Sequence, residues 1–176
     1  MPNYTIIGIV FAFFIAFAII TSILRANWNR LYFTVGLPLF IYRVPMKSLS
    51  SSGLDISKME SEFPPSFMQN ALVFKQLDSN LYAIRGEASG RNNGDPIHGT
   101  ILFDQTEQQV VVKGYSNVTD LIGFLAVIYV GSFYIQWWII SLTLIPIGVL
   151  YFIQIKRFRK VAEKAAELTA IPPQSF

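Results

Sequence analysis

The chain has 176 residues and a formal net charge of +3; 52% of it is hydrophobic and only 14% charged. A soluble domain usually carries about 25% charged residues, so the deficit points to apolar segments set beside an ordinary domain. The absence of cysteine excludes disulfides, thiolate metal sites and cysteine nucleophiles, and the small, dispersed positive charge leaves no footprint for nucleic acid.

Tyr4 to Leu24 runs 21 residues without a charge. As a helix at ~1.5 Å per residue it extends about 31 Å, close to one hydrocarbon core. Ala16-Phe17-Ala18 has the small-residue spacing of a signal cleavage site. However, Met1-Pro2-Asn3 supplies no basic residue, and the apolar stretch outlasts that of a signal peptide. Residues 1–25 are therefore predicted to form a retained transmembrane helix. Gly8, Ala12 and Ala16 recur every four residues on one helix face. Small side chains there let a second helix approach closely, so these three are the predicted helix-packing interface.

Residues 26–117 alternate strand-like runs with turn residues, which predicts an extramembrane, mostly β domain of about six short antiparallel strands. The runs are Leu31–Val35, Leu39–Val44, Ala71–Gln76, Leu81–Arg85, Gly99–Phe103 and Gln109–Gly114. Asp78-Ser79-Asn80 between the third and fourth is a tight-turn signal. Ser48–Gly53 reads as a linker, and Leu54–Glu62 as a short helix stopped by Pro64-Pro65. Phe63, Pro64, Pro65 and Phe67 form an apolar, proline-rich stretch, a candidate docking edge. Gly86, Gly90 and Gly94 are not a phosphate loop, because no Gly-Lys-Ser/Thr follows them.

The second apolar block, Leu121 to Ile155, runs 35 residues without a formal charge. One straight helix of that length would reach about 52 Å, too long for a bilayer. Residues 118–155 are therefore predicted as a transmembrane hairpin, giving three spans. The alternative is two spans, with only Trp137–Ile155 crossing. Tyr134, Trp137 and Trp138 are the predicted interfacial anchors, since amphipathic rings favour that depth. Residues 156–176 read as a basic juxtamembrane helix and tail, ended by Pro172-Pro173.

Charge sets the expected orientation. Arg25 and Arg30 follow the first apolar segment, and Lys156, Arg157, Arg159 and Lys160 follow the last. These six are predicted to face lipid headgroups and to fix topology, with the β domain and C-terminus on the cytoplasmic side. The expected class is thus an α+β integral membrane protein, in a bacterial inner membrane or an organellar membrane.

Candidate chemistry is sparse. The only histidine, His98, lies between Pro96 and a strand and reads as a polar strand-edge residue. A zinc site needs three or four clustered ligands, and no such spacing occurs. Serine hydrolase chemistry would need His98 and Asp95 with a nucleophile elbow that is missing. The chain is expected to carry no cofactor, catalytic residue or metal of its own, and to contact lipids or pigments held by partner subunits. The function expected from these features is a non-catalytic accessory or structural subunit of a larger membrane protein complex. A respiratory or photosynthetic assembly is the analogy at hand. Its expected partners are membrane lipids and other integral membrane subunits. The competing expectation is a free-standing, membrane-tethered β-domain that binds a lipid, a peptide or a regulatory partner.

Overall fold

Runs rich in β-branched and aromatic residues pair into one antiparallel sheet. In the computed structural model, residues 4–46, 54–66, 69–87, 97–117 and 137–168 are described, without the side chains of 4–11, 14 and 137–143. The strands are β1 (Leu37–Pro45), β2 (Leu72–Asp78), β3 (Leu81–Gly86), β4 (Ile97–Asp104) and β5 (Gln109–Ser116), in the order β1-β5-β4-β3-β2. The helices are α1 (Tyr4–Ala26), α2 (Arg30–Thr34), α3 (Ile56–Glu62) and α4 (Trp137–Leu168).

Strand alternation gives the sheet two different faces. Phe74, Ile84, Ile101, Val110 and Val112 point to one side, where Met59 of α3 and Phe158, Val161, Ala162 and Ala165 of α4 complete the core. A glycine pair lets α4 come close. Gly99 and Gly114 are partners across β4 and β5. A Cβ on Gly114 would overlap the Phe40 ring, and one on Gly99 would overlap the Lys113 carbonyl and lie 2.6 Å from the Phe158 ring. Phe40 and Phe158 meet edge to face over this gap, centroids 5.4 Å apart.

The β2 edge is covered rather than left open. The Phe74 amide donates to the Glu60 carboxylate at 3.0 Å, and the Leu72 amide to the Phe63 carbonyl at 3.1 Å. Asp55 caps α3 by accepting from the Lys58 amide at 3.1 Å, which places Glu60 along that edge.

Several expectations are corrected. Among the described residues, no helix is long and apolar enough to cross a membrane. This overturns the integral membrane class with three spans or two, the placement in a bacterial inner or organellar membrane, and the cytoplasmic-side orientation argued from it. Nothing in the structure supports an electron-transport or photosynthetic role. What stands is an α+β arrangement around a five-stranded sheet. Trp137–Ile155 and the basic tail are not a span plus a separate juxtamembrane helix. Residues 137–155 and the tail as far as Leu168 form one helix of 32 residues, whose second half is part of the core. Leu31–Val35, expected as a strand, falls largely in α2.

Arg157 differs most from its expected role. It is 6% exposed and donates to the carbonyls of Asn70 (2.7 Å), Phe63 (3.1 Å) and Pro64 (3.3 Å). It therefore ties α4 to the loop after α3 and is not available to a headgroup. A charged side chain is tolerated there because carbonyl oxygens replace its lost water.

Candidate functional site

The second face of the sheet holds the chemically richest cluster. Register places Arg85, His98, Thr100, Lys113 and Tyr115 on this side of β3, β4 and β5. The cover comes from the end of α1 and from α2. Between them Trp28 adopts a left-handed backbone, φ 53°. Asn29 then starts α2, its side chain accepting from the Leu31 amide at 2.9 Å. This sharp turn folds α2 back onto the sheet and presses the fully buried Phe33 against it.

Aromatic stacking holds the turn. Trp28 stacks on Phe33 with centroids 5.3 Å apart. The Arg85 guanidinium lies over the Trp28 ring, 4.0 Å from its centroid, and donates to the Arg25 carbonyl at 2.6 Å. That carbonyl belongs to the last turn of α1, where partial negative charge favours a cation. Burial, and then the nearby Arg25 charge, lower the Arg85 pKa from its ordinary value.

His98 sits at the centre. It is 4% exposed, stacked on Tyr32 at 4.4 Å and near-parallel to Tyr115 at 5.9 Å, with the Phe33 ring edge-on. Both imidazole nitrogens are buried without a hydrogen-bond partner. Burial pushes the His98 pKa down to about 4; a backbone hydrogen bond with Tyr32, too poor in geometry to satisfy the ring, opposes this and Arg25 adds to it. An orphaned buried polar group costs about 1–3 kcal/mol, so this one calls for a physical reason. Burial also raises the Tyr115 pKa, against a hydrogen bond with the Thr100 side chain.

A cleft of about 280 Å³ adjoins the imidazole. Phe17 and Leu24 of α1 form one wall, Leu31 and Val35 the other, with Thr21 and His98 among the lining residues. Leu31 and Val35 lie four residues apart, which in a helical turn puts them on one face. Their exposure, 62% and 65%, places them at the open rim.

The residues singled out from sequence are scattered. Ala12 and Ala16 are exposed on α1; Gly8 is helical there, and its surroundings lie outside the described residues. Trp137 and Trp138 begin α4, and Tyr134 and Phe67 lie outside the described residues. Phe63 is buried in the core, which removes it from any docking edge, while Pro64 and Pro65 are exposed. Arg30 pairs with Asp78 at 3.4 Å and Arg159 with Glu163 at 3.1 Å; Lys156 lies 4.5 Å from the Phe152 ring centroid and Lys160 is exposed. His98, read from sequence as a polar strand-edge residue, is the second residue of β4, an interior strand of the sheet, and is enclosed by rings.

The Trp28, Phe33, Arg85 and His98 cluster was missed in the sequence. The aromatic density of Trp28–Phe33 was its one local signal. Among the described residues, no three His, Asp or Glu side chains gather where they could hold a metal ion. No family model matches this chain, and neither a curated protein nor a solved structure matches it.

Proposed function

We propose that this protein is a non-catalytic accessory subunit of a larger protein assembly, joined to its partners through the apolar sides of α1 and of the first half of α4. The observation that carries this reading is where the large exposed hydrophobic side chains fall. Phe13, Ile15, Ile19, Ile20 and Ile23 follow one another along α1, and Leu144, Ile145, Val149, Leu150 and Phe152 along α4. Burying a side chain of this kind is worth about 1.5–3 kcal/mol, and contiguous exposed apolar surface marks an interaction site.

The contrast within α4 sharpens the point. From Phe158 to Ala166 the helix sinks its apolar side into this chain's own sheet. Between Leu144 and Phe152, among the described residues, Leu144, Ile145, Val149, Leu150 and Phe152 are exposed, while Tyr151 packs against the core. Ala12 and Ala16, both exposed, give α1 a small-residue strip on which another helix can pack closely. The surroundings of His98 support the non-catalytic part. An imidazole titrating near 4 among aromatic rings is a weak base at neutral pH.

The test is the native mass of the tagged full chain, recovered from its source cells at natural abundance. The expected result is a complex with companions at fixed stoichiometry, weakened when Ala12→Ile and Ala16→Ile crowd the α1 strip. Migration of the chain alone, as a monomer, rules the reading out.

A further inference from the structure

The orphaned imidazole and the cleft beside it call for a common explanation. We propose that the cleft between α1 and α2 binds a small uncharged molecule with an apolar body and one hydroxyl or carbonyl group, hydrogen-bonded to His98. This concerns a site within the chain and stands apart from the assembly reading above.

Three observations define the ligand class. First, the His98 ring lines the cleft, is 4% exposed, and neither nitrogen has a hydrogen bond of good geometry, the Tyr32 backbone offering only a poor one. A neutral imidazole offers one donor and one acceptor, which suits a hydroxyl or a carbonyl. Second, Phe17, Leu24, Leu31 and Val35 make the walls apolar, and no charged side chain is among the described lining residues. A charged ligand would lose its water with nothing in return. The Thr21 hydroxyl already points to the Phe17 and Ala18 carbonyls, both at 3.0 Å, and Tyr32 and Asn117 also line the cleft; of these polar lining side chains, His98 is the one whose buried polar atoms lack a well-formed partner. Third, about 280 Å³ is near the lower end of ligand pockets and exceeds the roughly 150 Å³ apolar cavity known to admit benzene, so the occupant is small. Binding turns the ring so that one nitrogen meets the ligand's polar group.

The probes are 2-naphthol and naphthalene, which differ only in the hydroxyl. The purified full chain, labelled with ¹⁵N-imidazole histidine, gives one imidazole to follow, because His98 is its single histidine. We expect 2-naphthol to bind about tenfold more tightly than naphthalene, the scale of one hydrogen bond, and to shift the imidazole nitrogens, which naphthalene leaves in place. His98→Phe should keep naphthalene binding and lose the preference. If that variant does not fold, the nitrogen shifts of the unmodified chain decide. No binding of either probe up to its solubility overturns the site. Equal affinities, or nitrogens that do not move with 2-naphthol, overturn the anchor.

Discussion

Arg85 on β3 holds its guanidinium 4.0 Å from the centroid of the Trp28 ring while donating to the Arg25 carbonyl at 2.6 Å. One side chain thus fastens both the end of α1 and the left-handed turn after it to the sheet. Arg85→Met removes the charge, the stacking and the hydrogen bond together, at a cost of about 1–3 kcal/mol. Arg85→Lys keeps the charge without the planar fork and should recover less than half of the loss. Denaturant unfolding measures both, and amide exchange at Leu31 should quicken in each. Wild-type stability in Arg85→Met would mean that the contact holds nothing.

Arg157 makes a separable prediction. Arg157→Met leaves the Asn70, Phe63 and Pro64 carbonyls without their cationic donor and should cost about 2–4 kcal/mol. Lys160→Ala, three residues on and exposed, should change stability by less than about 0.5 kcal/mol. Thermal unfolding of the two variants side by side checks this. Equal effects would show that the basic run acts as a uniform charge, not through one buried member.

The glycine pair predicts a coupled effect. Gly114→Ala drives a methyl into the Phe40 ring and should destabilise by about 1–3 kcal/mol. Phe40→Leu vacates part of that space, so the double variant should be more stable than the sum of the single losses implies, by at least about 0.5 kcal/mol. A strictly additive double-mutant cycle would contradict the contact.

Acid should weaken the fold through His98. Its folded pKa is about 4, against an ordinary value of 6.5 in the unfolded chain. Between those values the unfolded state binds the extra proton, so stability is full above pH 6.5 and falls as pH drops toward 4. The span corresponds to roughly 3 kcal/mol. Denaturation midpoints at pH 7.5, 5.5 and 4.5 should fall in the native chain, and fall less in His98→Phe. Parallel curves would place the titrating group elsewhere.

The strands were legible because their side chains alternate and their turns carry clear signals. Asp78-Ser79-Asn80 sits at the β2–β3 connection, and Asp104–Glu107 at the start of the β4–β5 turn. The helix at Arg30–Thr34 was not legible. Tyr32, Phe33, Thr34 and Val35 favour strands locally, and tertiary contacts of Phe33 override that preference. Arg157 could not be told from its neighbours, because a basic run does not say which member faces inward. The continuity of α4 was hidden because the charged run from Lys156 reads as the end of an apolar segment, whereas the helix continues through it. The His98 cluster draws on α1, α2, β3, β4 and β5, so no local spacing announces it.

α4 runs from Trp137 to Leu168 with Pro146 inside it, so its near half carries a point where one backbone hydrogen bond is lost and the axis can bend. The far half is gripped at Arg157 and seated on the sheet by Phe158. The near half projects from that grip with a hinge-like weak point at Pro146, so a partner can seat on it without straining the sheet.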